Sequence, residues 1–239
     1  MAWLAQQVGV QASTLRGGYK AFRGWAVQHA FEDHPIQVVA GLTGSGKTKV
    51  LHALAGLGEA VLDLEGLAHH KGSAFGALGE LPQPTQEQFE NALALQWQRL
   101  PAGVAVWLED ESRTIGRCFL PESLWQRKRM AFYHILKFPE ATRLDHLVKV
   151  YGVHSLDLLK EKVLSISKRL GGQRTAEAVE ALEAADLEKT CQIVLAYYDK
   201  TYQRSIDAMP AEQKTEHEFS RFDVTTVAQA LIDSALAKK

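Results

Sequence analysis

Eight consecutive residues constrain this chain more than any other stretch. Gly41-Leu42-Thr43-Gly44-Ser45-Gly46-Lys47-Thr48 reads G-x-x-x-x-G-K-[ST]. Ahead of it, Ile36-Gln37-Val38-Val39-Ala40 is a β-branched apolar run, and behind it Lys47 to Leu57 carries a helical pattern, so the motif has the strand and helix it needs. Glycines let the backbone curl tightly and aim its N–H groups inward, which with the positive end of the following helix makes a nest for a phosphate. Gly41, Thr43, Gly44, Ser45, Gly46, Lys47 and Thr48 are therefore the expected phosphate contacts, Lys47 as a point charge and Thr48 as an oxygen for Mg²⁺. Which phosphorylated compound enters, and whether a nucleotide is hydrolysed, the loop leaves open.

With 46% hydrophobic residues in 239, the chain can bury a full core, one large domain plus an appendage. A net charge of −1 leaves any nucleic-acid surface to local clustering. Cys118 and Cys191 stand far apart with no C-x-x-C, which speaks against a zinc site or a disulfide framework. No apolar run reaches the length of a membrane span and no secretory signal opens the chain, so a cytoplasmic protein is expected.

Residues 1–34 read as a short unit: an apolar-periodic run from Met1 to Val8, a strand-like Gln11 to Leu15, a Gly17-Gly18 turn and a helix through Phe22 and Trp25. Alone it is too small for a core, and a poorly anchored remnant is expected. A P-loop domain over 35–205 and a helical tail over 206–239 follow. After the P-loop helix, residues 60–66 read as a second strand, which puts Asp63 and Glu65 at its carboxyl end, where ligands gather in open α/β sheets; capping of the next turn is the competing role. His69 and His70 fall in a polar loop, and Thr85 with Gln88 makes a capping box for an amphipathic helix. Gly103 to Leu108 is the third strand, ending in Glu109-Asp110-Glu111-Ser112-Arg113, the Walker B form of an apolar strand closed by an acid. The three acids compete for that role. Thr48 and Asp110 are the metal candidates, and Asp63, Glu65, Glu109, Asp110 and Arg113 the catalytic ones.

From 113 to 149 eight basic residues stand against three acids, a net +5, interleaved with Trp125, Phe132 and Tyr133. This basic segment, read as helical, is the expected nucleic-acid surface, through Arg117, Arg127, Lys128, Arg129 and Arg143. Beyond Tyr151 the pattern is helical, with Cys191 on an apolar stripe. The fold class is α/β: a P-loop NTPase-like parallel sheet flanked by helices, with a helical C-terminal portion.

These segments together resemble the tRNA 2-selenouridine synthase family. Beside the P-loop, the resemblance rests on Val61-Leu62-Asp63-Leu64-Glu65-Gly66-Leu67-Ala68, Gly72-Ser73-Ala74-Phe75-Gly76, Phe89-Glu90-Asn91, the run from Trp107 to Gly116, and Tyr197-Tyr198-Asp199. It implies conversion of 2-thiouridine to 2-selenouridine in tRNA by way of an S-geranyl intermediate, with geranyl diphosphate and selenophosphate as co-substrates. A diphosphate or nucleotide would sit at the P-loop, with Mg²⁺ as its companion ion. Leu15 to Arg23 resembles the last strand and helix of the family's rhodanese-like domain, whose active-site cysteine would precede Met1. By that reading the chain retains tRNA binding and geranyl transfer without the selenium-transfer cysteine. Assembly of identical copies stays open. The alternatives are a small-molecule kinase with 113–149 as its lid, and a nucleotide-gated tRNA-binding module without catalysis.

Overall fold

The computed structural model describes residues 2–237. Met1, at the head of the expected first periodic run, and Lys238 and Lys239, at the end of the expected tail, lie outside the described residues.

The chain opens with two helices, α1 (Ala2–Gln7) and α2 (Gly18–Gln28), and enters the sheet at β1 (Ile36–Gly41). The phosphate loop delivers it into α3 (Lys47–Gly56), and β2 (Ala60–Val61), α4 (Leu64–Ala68) and α5 (Gln86–Gln98) lead to β3 (Val106–Glu109). A small antiparallel ribbon, β4 (Thr114–Ile115) with β5 (Cys118–Phe119), and α6 (Glu122–Arg129) precede β6 (Phe132–Lys137). Five helices follow: α7 (Glu140–Tyr151), α8 (Leu156–Ser165), α9 (Ser167–Leu170), α10 (Gly172–Glu183) and α11 (Leu187–Asp207). The chain then returns as β7 (Lys214–Glu218) and ends in α12 (Val224–Leu236).

The five long-range strands form one parallel sheet in the order β2-β3-β1-β6-β7. β1 lies at its centre, paired with β3 from Ile36↔Val106 to Val39↔Glu109 and with β6 from Gln37↔Phe132 to Gly41↔Leu136. Because β3 and β6 flank β1 on opposite sides, their connections diverge at its carboxyl end, the crevice where ligands bind in open α/β sheets. One face of the sheet is covered by α2, α5 and α6, with Phe31, Phe89, Leu93, Trp97 and Leu124 buried against Val38 and Leu108. On the other face α3 and α12 bury Leu51, Leu54, Val227 and Leu231 against Val39 and Trp107. Covered on both faces, β1 and β3 are buried at nearly every position and do not alternate.

Four expectations are corrected. Gln11 to Leu15 forms no strand. Leu64 to Gly66 continues no strand but opens α4, because Asp63 caps it, its carboxylate accepting from the Gly66 N–H at 2.7 Å. Residues 113–149 are not one helical segment: they hold a hairpin, two helices and β6, a central strand of the sheet. The 206–239 stretch is not helical throughout, since β7 pairs with β6 from Tyr133↔Lys214 to Lys137↔Glu218.

The amino-terminal unit divides in two. α1 buries nothing, whereas α2 is docked: Ala26, Ala30 and Phe31 are fully buried, Phe31 meets Trp97 edge-on at 5.4 Å, and Arg23 binds Asn91 at 2.8 Å and pairs with Glu90. Phe31→Ala should therefore destabilise the whole protein by about 3–5 kcal/mol, the cost of a buried aromatic deletion, measured by urea denaturation. A loss below about 1 kcal/mol would show that this stretch is an appendage and not part of the core.

Candidate functional site

The phosphate loop begins where β1 ends and closes on the first turn of α3. Gly46, the residue before the helix, has φ 66°, and a Cβ there would lie 2.1 Å from the Phe222 ring, so only glycine supplies both the left-handed turn and the close approach. Phe222, in the segment joining β7 to α12, thus braces the loop from behind. From the other side Arg143, on α7, donates to the Thr43 carbonyl at 2.9 Å while its guanidinium grips the Asp199 carboxylate of α11 at 2.9 and 2.7 Å.

A cleft of about 350 Å³ opens over the loop, and its walls include Thr43, Gly44, Gly46, Lys47 and Thr48. Lys47 lies 5.5 Å from the Tyr202 ring centre and within 3.4 Å of the Gly41 carbonyl. Thr48 donates its hydroxyl proton to Glu65 at 2.5 Å. The Glu65 N–H in turn donates to Glu109 at 2.8 Å, and Glu111 hydrogen-bonds the Glu65 carboxyl. Glu111 also lies against Gly72, where a Cβ would meet its carboxylate at 2.0 Å; Gly72, at φ 67°, is therefore a second position that requires glycine.

Three carboxyls thus crowd behind Lys47 and Thr48. Burial raises the pKa of Glu65, with the Thr48 hydrogen bond and Lys47 opposing. Glu109 is fully buried and held well above the usual carboxylate range by burial and by the charges of Asp63 and Glu65, and its Oε2 has no partner among the described residues. Glu111 is pushed to about 8, first by burial and then by the Glu65 charge. Near neutral pH Glu111 therefore carries a proton that an approaching cation could displace. On the far wall burial and Lys49 lower His146 to about 4, which keeps it neutral. The Ser45 hydroxyl is buried without a partner among the described residues.

Beside the cleft is an apolar chamber, sharing Thr43, Ser73, Leu147 and Tyr151 with it and continuing between α8 and α11. No local pattern marks it, because its lining residues are scattered from 43 to 198 and most of them, on α7, α8 and α11, read as ordinary helix core.

Of the expected phosphate residues, Thr43, Gly44, Gly46, Lys47 and Thr48 line this cleft together with Glu65, whereas Gly41 and the buried Ser45 lie outside its wall. Asp63 borders it but is engaged as the α4 cap and by His52 at 2.7 Å. Glu109 lies just beneath Glu65. Asp110 turns away and is held at 2.5 Å by the buried Lys128, so its position does not fit a ligand to a metal at Thr48. Glu111, one of the three acids left open by the sequence, lines the cleft beside Glu65 instead. Arg113 is also remote, paired at the surface with Glu122 at 2.7 Å.

The basic stretch is not a continuous surface. Arg127 donates to the carbonyls of Phe31 and His34, tying α6 to the segment before β1. Lys128 is buried over the Trp125 and Tyr133 rings, and Arg143 is spent on Asp199 and Thr43. Arg117 is exposed, though it also reaches the Gln83 carbonyl, and Arg129 is exposed. Residues that the sequence reading passed over at the cleft include Lys71, His146 and Tyr202. For Tyr202 the Tyr197-Tyr198-Asp199 motif was the available signal, since Asp199 lies one turn before it on α11 and grips the Arg143 that holds the phosphate loop.

The sequence profile of the tRNA 2-selenouridine synthase AAA domain matches residues 34–234. The tRNA 2-selenouridine synthase of Shewanella piezotolerans is 34% identical over 240 residues, covering 86% of this chain and 64% of that protein. That of Hahella chejuensis is 37% identical over 206 residues, covering 77% and 53%, and that of Sulfurovum sp. 36% identical over 238 residues, covering 86% and 64%. The chain thus spans between about half and a little under two thirds of the length of these relatives.

The protonated carboxyls have a measurable consequence. A carboxyl whose pKa is raised on folding contributes stability below its unfolded value, near 4.5 for Glu111, and loses it as pH rises toward about 8. Glu111→Gln should match the parent near pH 4 and exceed it at pH 8.5 by an amount on the order of a few kcal/mol, without the parent's loss across that window. Urea titrations at a series of pH values measure this. Parallel pH profiles for the two proteins would show that Glu111 is ionised in the folded state.

Proposed function

The chain belongs to the tRNA 2-selenouridine synthase family, and from that premise we propose that its phosphate cleft binds the diphosphate of geranyl diphosphate and serves alkyl transfer to the sulfur of 2-thiouridine in tRNA. The observation that carries this reading is the apolar chamber that adjoins the phosphate cleft and shares Thr43 of the loop with it. A nucleoside triphosphate would offer a polar ribose and base, whereas an isoprenyl diphosphate has a charged head and a hydrocarbon tail, matching a nest of backbone N–H groups beside a hydrophobic branch.

The chemistry assigned to the residues is electrostatic. The thiocarbonyl sulfur attacks C1 of the geranyl group, the C1–O bond breaks, and diphosphate departs with the electron pair. Lys47 and the amino-terminal end of α3 stabilise the charge that builds on the leaving diphosphate. Thr48, Glu65 and Glu111 offer the hard oxygen donors suited to Mg²⁺, and the raised pKa values of the two acids are what an anionic pair kept for a cation would show without it. When bound, that ion supplies further neutralisation of the diphosphate. S-alkylation turns the sulfur into a leaving group, and the following displacement by selenium from selenophosphate belongs to the same reading. Neither cysteine is activated for that step: burial raises the Cys118 thiol, and pushes Cys191 up to about 11. For tRNA phosphates the exposed Arg117 and Arg129 are the assigned contacts.

Incubating the protein with 2-thiouridine tRNA and geranyl diphosphate, then weighing the nucleosides, should yield S-geranyl-2-thiouridine. Lys47→Ala should abolish that product and weaken geranyl diphosphate binding at least tenfold, as measured by calorimetry, with the thermal midpoint unchanged. Turnover of ATP with a small acceptor, indifferent to tRNA, would replace this reading with a kinase. Binding of tRNA without any product would leave a non-catalytic module.

A further inference from the structure

The helical half of the molecule buries its apolar side chains in two clusters that the half-buried Tyr151 and Leu187 bridge. One gathers Leu159, Val163, Leu182 and Val194; the other, Leu144, Leu147, Cys191 and Leu195. Protein interiors are otherwise filled to the density of organic crystals, and an apolar seam left open forfeits dispersion contacts on both sides. The seam here is the chamber: Leu159 and Val163 of α8 face Cys191, Val194 and Leu195 of α11 across it. It adjoins the phosphate cleft, with Thr43, Ser73, Leu147 and Tyr151 lining both, and has about 40 Å³ of free space, against about 350 Å³ in the cleft. A chamber so much smaller than the cleft admits the end of a chain and leaves the rest beside the phosphates.

The α11 side of the chamber is a stripe at helical spacing, Leu187, Cys191, Val194 and Tyr198. Cys191 is its smallest member. Its buried thiol stays protonated and serves as apolar surface, and any larger side chain at that position would project into the free space.

We propose that Cys191, with Val163 and Val194, forms the wall that sets the length of hydrocarbon tail accepted by the phosphate site. This rests on the reading of that site as one for an alkyl diphosphate, and it adds what the phosphate loop cannot supply, a ruler. The tail runs from the phosphate loop past Tyr151 and ends between α8 and α11. A chain shorter by one isoprene unit leaves the chamber unfilled. One longer by a unit must push the two helices apart, which close-packed walls resist.

The test is calorimetric titration of the parent protein with inorganic diphosphate and with dimethylallyl, geranyl and farnesyl diphosphates, repeated on Cys191→Phe. The parent should bind geranyl diphosphate at least tenfold more tightly than either neighbour in the series. Cys191→Phe should lose at least tenfold for geranyl diphosphate, gain relative preference for the dimethylallyl compound, and bind inorganic diphosphate unchanged. The series on the parent stands even if Cys191→Phe does not fold. If inorganic diphosphate binds but the three tails are not discriminated, or if Cys191→Phe folds and keeps the parent's order, the ruler is overturned while the phosphate site survives. If inorganic diphosphate itself does not bind, the underlying site reading falls and the ruler with it.

Discussion

A buried ion pair ties the helical half of this molecule to the phosphate loop. Arg143 and Asp199 belong to α7 and α11, and their bidentate contact is oriented by a third partner, the Thr43 carbonyl of the phosphate loop. Arg143 is buried, so each hydrogen bond runs in a low dielectric, where a fork-to-fork guanidinium–carboxylate geometry is strongest. Removing either partner would strand a charge in the interior at a cost of about 3–5 kcal/mol. The pair is not required merely to fill space, since apolar side chains would do that as well. What it specifies is that the loop, α7 and α11 meet at one angle, and the mouth shared by cleft and chamber lies at that meeting point.

Charge crowding is the second constraint. Glu65, Glu109 and Glu111 converge behind the loop with Lys47 as the cation facing two of them, so burial and mutual repulsion raise all three pKa values, that of Glu111 to about 8. Natural cores avoid such an arrangement unless something uses it. An anion at the loop would sharpen the repulsion, which is why the proposed ligand needs a companion cation or protons on those carboxyls. The Thr48 hydroxyl, already pointed at Glu65, stands where the two demands meet.

How much of this could be read in advance follows from the range over which each signal acts. The phosphate loop, its feeding strand and its helix were legible because their causes are local: glycine geometry, β-branched residues, helical period. Glu65 and the acid cluster after β3 were legible because strand ends in parallel sheets face ligands, although alternation, which sets Glu109 and Glu111 on one face and Asp110 on the other, did not say which face meets the cleft; the pairing of Asp110 with the buried Lys128, and Glu111 in the cleft wall, lie beyond what spacing can show. Two strands were missed. Phe132–Lys137 is only six residues of bulky side chains, flanked by basic residues that drew it into a charge argument, and its status as a central strand comes from β1 and β7 on either side. Lys214–Glu218 is polar at most positions because it is an edge strand, with no apolar pattern to betray it. The basic stretch misled for a related reason. Arg127, Lys128 and Arg143 are internal fasteners, and composition cannot tell a cation that faces solvent from one that holds carbonyls and carboxylates.

The central claim is that the phosphate loop and the chamber between α8 and α11 are one binding site. Amide hydrogen exchange with and without geranyl diphosphate addresses it directly, because it reads both places at once without altering a residue. Bound geranyl diphosphate should slow exchange in residues 43–48 and also in 187–195, while inorganic diphosphate should slow only the first. Slowing confined to the phosphate loop with both compounds would contradict the account and leave the chamber a packing defect unrelated to the ligand.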